Sequence, residues 1–287
     1  MNRVLIAGAT GYLGHYLVSV LHERGCWVRA LSRSEARLAD SRTAVNDIFI
    51  GEVTRPETLR GVADEVEVVI SAVGITRQKD GLTYDDVDYQ GNLNLLQEAQ
   101  ASGVKKFIYV SVLAVDGMQN LKIVQAKEKF VQALRASELD YTVIRPNGYF
   151  SDMREFLAMA RRGRVMVFGD GNFHMNPVHG QDVAEVCADA IDGTAQEISF
   201  GGPEVYTHRQ IAEAAFEAVG RKPHISSMPL FVAGMGLWFL RHFTSTTFYG
   251  PIEFTLTVLT RDMVGETRGE KRLADFYLQE ARLSVLK

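Results

Sequence analysis

Through the first half of the chain, short apolar runs alternate with longer stretches of helical periodicity. Strands are predicted at Arg3–Ala7, Trp27–Leu31, Asp47–Ile50, Val66–Ser71, Lys106–Val110 and Tyr141–Ile144. Each is a short apolar or β-branched run closed by turn residues. Helices are predicted between them at Tyr12–Glu23, Tyr84–Ala101 and Val124–Ser137. Thr83-Tyr84-Asp85-Asp86 opens the second as a capping box with Asp in place of Glu, and Ser102-Gly103 closes it. Regular alternation of this kind predicts an α/β fold, a doubly wound parallel sheet with helices on both faces.

Beyond Pro146 the pattern loosens. Phe168–Asn172 reads as a turn, Gly180–Ile191 as a helix and Glu197–Phe200 as a strand. Thr207-His208-Arg209-Gln210 is a capping box opening a helix to about Val219, and Gly220–Pro223 stops it. The expected organisation is a core at residues 1–150 and a small mixed C-terminal substrate region at 151–287, with segments returning to the core. That second region is expected to cap the strand ends, the edge where open α/β sheets bind ligands.

Composition narrows the partners. The chain has 287 residues, 46% hydrophobic and 23% charged, enough for a large core of ordinary character. A formal charge of −4 argues against nucleic acid. Cys26 and Cys187 have no metal-ligand or disulfide-framework spacing, so no metal site is expected. Met1-Asn2-Arg3 leads into a strand rather than a leader peptide, which points to the cytoplasm. The longest apolar run, Met228–Leu240, is too short to span a bilayer. It reads as a core or subdomain helix, and membrane contact is not expected. A membrane-surface or oligomer-interface role is the alternative, and homodimerisation is left open.

The candidate chemistry begins at the first turn. Val4–Ala7 runs directly into Gly8-Ala9-Thr10-Gly11-Tyr12-Leu13-Gly14 and then a helix. A strand turning on glycines into a helix is a dinucleotide pyrophosphate site. Gly8 allows the turn, Gly11 the backbone approach to phosphate, and Gly14 close packing of helix on strand. The helix N-terminus offers its unpaired N–H groups and positive dipole end. Enzymes that take NAD usually carry an acid at the tip of the second strand. Here that strand ends in Ser32-Arg33-Ser34, with Arg37 one turn on. A guanidinium beside a missing carboxylate suits the 2′-phosphate of NADP(H).

Gly-x-x-Gly-x-x-Gly spacing resembles the extended and atypical branches of the short-chain dehydrogenase/reductase superfamily. Further segments carry the resemblance to about residue 223. They are Asp88–Leu96, Phe168–Gly171, Asn176–His179, Asp182–Ala184 and Gly201–Glu204, and in the first the resemblance implies that Asn92 supports the fourth-strand loop. The nearest groups are the atypical, NmrA-like or complex-I-subunit-like members. The resemblance implies that Glu52 and Val53 lie near the adenine, with Glu52 a departure from the usual Asp. It implies that Ser71, Ala72, Val73 and Gly74 run along the nicotinamide-side ribose. It also implies that Pro146, Asn147, Gly148 and Tyr149 cover the nicotinamide.

In this superfamily a Tyr-x-x-x-Lys pair transfers the substrate proton and holds the ribose, and a serine ending the fifth strand polarises the carbonyl. Lys127 and Ser111 match the lysine and the serine, whereas Ile123 occupies the tyrosine position. Isoleucine transfers no proton. Substitutes to consider are Tyr84, Tyr89, His174, His179 and above all Tyr149. The expected function is an NADPH-dependent reductase of a small apolar or aromatic carbonyl- or enone-type substrate. The alternatives are a non-catalytic NADP(H)-binding redox sensor or assembly factor and, further off, a sugar-nucleotide epimerase or dehydratase.

Overall fold

The computed structural model describes residues 1–76 and 81–283. In chain order its elements begin β1 (Arg3–Ala7), α1 (Tyr12–Glu23), β2 (Trp27–Ser32), β3 (Asp47–Ile50), β4 (Val68–Ser71), α2 (Asn92–Ala101) and β5 (Lys106–Val110). They continue with α3 (Lys122–Arg135), β6 (Asp140–Pro146), α4 (Arg154–Arg161), β7 (Val165–Phe168), β8 (His174–Met175), α5 (Gly180–Asp189) and β9 (Glu197–Gly201). The last are β10 (Tyr206–Thr207), α6 (His208–Ala218), β11 (Ile225–Met228), α7 (Leu230–Phe243), α8 (Thr246–Leu259), β12 (Glu266–Thr267) and α9 (Leu273–Leu283).

Eight strands form one sheet in the order β12-β9-β6-β5-β4-β1-β2-β3. Its strands run parallel, with Val4 of β1 in register with Val28 of β2 and Val68 of β4. A central strand of a parallel sheet is covered on both faces. Val4, Leu5, Ile6 and Ala7 are accordingly all buried, which explains why β1 reads as an unbroken apolar run. The expected doubly wound α/β sheet is the one observed.

Element edges differ from the sequence pattern where local hydrogen bonds compete. β4 starts at Val68 rather than Val66, because the Val66 N–H closes a turn on the Ala63 carbonyl at 3.1 Å. The helix expected from Tyr84 begins as a wide π-type segment, Asp85–Gly91, before α2. Thr83 and Asp86 cap it reciprocally: the Thr83 N–H donates to Asp86 Oδ2 at 2.8 Å, and the Asp86 N–H to Thr83 Oγ1 at 3.2 Å. The wide segment leads into α2 with both Asp88 and Asn92 fully buried.

The chain divides into two compact units. The first is Met1–Arg145 with Val183–Ile198; the second is Pro146–Asp182 with the chain from Ser199 onward. In the first, Phe130 of α3 packs edge-on against Tyr109 of β5 at 4.6 Å between ring centroids, beside Phe107, Leu95 and Val143. In the second, α4, α6 and α9 pack together, and the buried Tyr277 hydroxyl donates to the Met153 carbonyl at 2.9 Å. The Thr207–Gln210 capping box opens α6 as its sequence predicts.

Candidate functional site

The β1–α1 turn is a backbone cradle with no room for side chains. Gly8 has φ +89°, and a Cβ there would meet the Ala72 carbonyl carbon at 2.9 Å. A Cβ on Gly14 would lie 2.1 Å from the Gly8 carbonyl oxygen. Gly11 is the exposed N-cap of α1, and the first helical turn holds no acid. The N-terminus of α1 is therefore a positive dipole end, beside Thr10.

Three inward polar residues brace the loops after β3 and β4. Asn94 donates to the Val53 carbonyl at 2.8 Å, which ties down the Glu52–Val53 loop. Asn92 accepts from the Ser71 hydroxyl at 2.5 Å and reaches the Val73 carbonyl at 3.4 Å. Asp88 Oδ2 accepts from the Ile75 N–H at 3.2 Å. In the sequence Asn94 and Asp88 read only as polar positions in a helix, while the family resemblance expects Asn92 to support the fourth-strand loop, as its bonds to Ser71 and Val73 do. The structure turns them inward, where each replaces a water for a loop carbonyl, hydroxyl or amide.

Asp88 also meets Lys127, whose Nζ is 2.8 Å from Asp88 Oδ1. Both are buried, and a Cβ on Gly74 would touch both, at 2.7 Å from Asp88 Oδ1 and 2.8 Å from Lys127 Nζ. Glycine at position 74 thus opens the loop onto a charged pair. Burial favours neutral Lys127, but Asp88 and Tyr109 outweigh it and hold the ammonium above its ordinary range. Burial pushes the Asp88 carboxyl up, partly opposed by Lys127 and the Ile75 N–H. The Tyr109 phenol, fully buried beneath Lys127, is pushed up to about 12 by burial. Lys127 is the charged donor of this cluster. Ile123 is buried one turn before it in α3, as a core residue.

Ser111 follows β5 and is buried, with Arg145 Nη1 donating to its hydroxyl at 3.4 Å. Arg145 is clamped between Glu128 and Glu197. At the tip of β2, Ser32 Oγ donates to the Ser34 carbonyl at 2.8 Å and so closes a local turn. Arg33 is half exposed, with Glu52 3.9 Å away and Glu52 also bound by Arg55 at 3.3 Å. Arg37 is exposed one turn further on.

Pro146, Asn147, Gly148 and Tyr149 belong to the second unit. Asn147 is buried there, donating to Asn176 Oδ1 at 2.8 Å and accepting from the Gly148 N–H at 2.8 Å. The Tyr149 N–H donates to Asp152 Oδ2 at 3.2 Å. The other proton-donor candidates each make contacts within the fold. Tyr84 donates to the Thr76 carbonyl, and Lys129 lies 3.8 Å over the Tyr89 ring. His174 pairs with Asp262 at 3.3 Å, and the His179 ring contacts Phe150 and Phe276.

In the sequence Asp88 belongs to a stretch that resembles the family, with no role of its own. The available signal was its spacing, one helical turn before Asn92 in an otherwise amphipathic helix. The glycine cradle, the donor-rich N-terminus of α1 and a lysine facing Gly74 together fit an anionic dinucleotide.

Comparison with known proteins agrees. Residues 8–194 match the model of a family described as NAD(P)H-binding. The divinyl chlorophyllide a 8-vinyl-reductase of Zea mays is 28% identical over 259 residues, covering 83% of this chain and 65% of its own. The chain therefore spans less than two thirds of that reductase. The photosystem II assembly factor Ycf39 of Synechocystis sp. is 29% identical over 246 residues, covering 84% of this chain and 74% of its own. The NADPH-dependent quinone oxidoreductase of Escherichia coli, solved with NADPH, superposes with a TM-score of 0.75 at 18% identity, covering 96% of this chain and 99% of its own.

Proposed function

The chain belongs to the NAD(P)H-binding family and has the fold of the atypical short-chain dehydrogenase/reductases, and from that premise we propose that it is an NADPH-dependent reductase of a small apolar or aromatic carbonyl- or enone-type substrate. The observation that carries this reading is Lys127, a buried ammonium kept charged by Asp88 at the edge of Gly74. A ribose-holding lysine is what the family resemblance expects there.

When bound, the cofactor supplies a hydride from C4 of its nicotinamide. The chain's own residues bind and orient. The N–H groups following Gly11 receive the pyrophosphate, and Lys127 donates to ribose hydroxyls. Ser111, oriented by Arg145, is the donor for a substrate oxygen. Ile123 supplies no proton, so the proton for reduction comes from another group or from water. NADPH is favoured over NADH by Arg33 standing where an NAD enzyme has a carboxylate.

A second reading is binding without turnover, as a sensor or assembly factor. Ile123 at the proton-donor position favours it, as does the 29% identity to an assembly factor.

Purified protein is expected to oxidise NADPH with at least one member of a panel of quinones, enones and aromatic ketones, transferring deuterium from 4-deuterated NADPH. NADPH binding without oxidation across the panel supports the second reading instead. Arg33→Ala is expected to weaken NADPH roughly tenfold while changing NADH about twofold or less, read by fluorescence titration. Equal weakening of both cofactors would refute the phosphate clamp.

A further inference from the structure

The wide helical segment Asp85–Gly91 does more than lead into α2. It turns Asp88 inward together with Asn92, and both are fully buried. The two side chains grip alternate residues of the loop after β4. Asn92 holds the Ser71 hydroxyl at 2.5 Å and the Val73 carbonyl at 3.4 Å, and Asp88 Oδ2 holds the Ile75 N–H at 3.2 Å. Gly74, between the last two grips, is exposed. Directly against it lie Asp88 Oδ1 and Lys127 Nζ, since a Cβ on Gly74 would touch both.

Asp88 therefore sits where the loop, the wide segment and α3 meet. One carboxylate oxygen faces the Ile75 N–H and the other the Lys127 ammonium, 2.8 Å away. α3, which carries Lys127, packs directly on the segment that carries Asp88. Both partners are donors, and a carboxylate offers an acceptor to each. An asparagine here must turn its NH2 group against one of the two donors. A glutamate keeps both acceptors on an arm one methylene longer, in a site with no spare room. The separation between the loop and the lysine is thus set by the length of one aspartate side chain. Lys127 keeps 10% of its side chain exposed against none for Asp88, so the lysine is what this pair presents outward.

We propose that Asp88 is a positioning residue for the nicotinamide half of the cofactor, fixing the loop after β4 and the Lys127 ammonium at one separation so that both meet the same ribose. The inference rests on Lys127 being the ribose-holding lysine of the proposed function. It adds that the lysine works only at the place where Asp88 keeps it, because a hydrogen bond weakens steeply with distance and angle. The cost of changing Asp88 is then selective. The adenosine half of the cofactor belongs to the glycine cradle and the tip of β2, and Asp88 touches neither of them.

The test compares two ligands by isothermal titration calorimetry on the full chain. One is NADPH; the other is adenosine 2′,5′-bisphosphate, which lacks the nicotinamide half. Asp88→Asn is expected to weaken NADPH roughly tenfold or more while leaving the bisphosphate within about twofold. Asp88→Glu, which keeps a carboxylate beside Lys127, is expected to show the same split with its circular dichroism unchanged. It decides the matter if Asp88→Asn does not fold. Full NADPH affinity in Asp88→Glu would reduce Asp88 to a balancing charge and overturn the proposal. Equal loss of both ligands in either variant would make its role merely structural and overturn it too. Lys127→Ala separates these failures from failure of the reading beneath them. Weaker NADPH binding in Lys127→Ala with full affinity in the Asp88 variants removes the positioning role alone. Unchanged NADPH affinity in Lys127→Ala removes the ribose-holding lysine and the positioning role together.

Discussion

The Asp88–Lys127 pair shows at the residue scale how a polar position in a helix becomes part of a site. In water such a pair contributes little. Here both groups are buried, and each makes the other's charge tolerable. Removing one partner strands the other. Asp88→Asn is expected to lower stability by about 3–5 kcal/mol, seen as a lower urea midpoint. Adding Lys127→Gln should recover part of that loss, because no isolated charge is left buried. A double variant costing the sum of the two singles would show the residues uncoupled. Lys127 was legible through the family resemblance, which expects a lysine at that position. The role of Asp88 was not legible, because a carboxylate in an amphipathic helix usually faces water. The wide Asp85–Gly91 segment that precedes the buried Asn92 is a tertiary outcome.

At the scale of elements, the β1–turn–α1 unit was the most legible part of the chain. Its apolar run, its glycines and the following helix are local features, and each constrains the backbone by itself. Gly14 is the most exacting position, since a Cβ there would fall 2.6 Å from the Ala9 carbonyl carbon as well as against Gly8. Both neighbours are backbone and cannot rotate away. Gly14→Ala is therefore expected to push α1 off β1, costing about 1–3 kcal/mol and most of the cofactor affinity. Differential scanning calorimetry with and without NADPH checks both effects, and full affinity in the variant would show the helix N-terminus to be dispensable. The support of the β4 loop by Asn92 was legible through the family resemblance, whereas the bracing by Asn94 and Asp88 was not legible at this scale. It joins segments far apart in sequence through side chains whose direction only the packed helix sets.

At the scale of the whole molecule, each compact unit has its own core, and the second carries a pH-sensitive group. His208 of α6 is buried between Phe156 and Phe173, and its Nε2 finds no hydrogen-bond partner among the described residues. Burial lowers its pKa to about 4 from the ordinary 6.5, only partly opposed by Asp262. Between those two values the unfolded chain binds more protons than the folded one. Stability is therefore complete above about pH 6.5 and falls as pH drops towards about 4. The loss from this group is expected to reach about 3 kcal/mol. His208→Gln should flatten that acid limb in melting temperature measured against pH, and an unchanged slope would assign the limb to other groups. The amino-acid sequence by itself determined the alternation of strands and helices, the glycine cradle and the helix caps. These depend on backbone conformation and on spacing within one element, which neighbouring residues dictate. Only the tertiary structure decided that Asp88 faces Lys127, that Arg145 reaches Ser111, and that the apolar face of α7 points outward. Those outcomes depend on which surfaces the rest of the chain covers, and no local pattern encodes that.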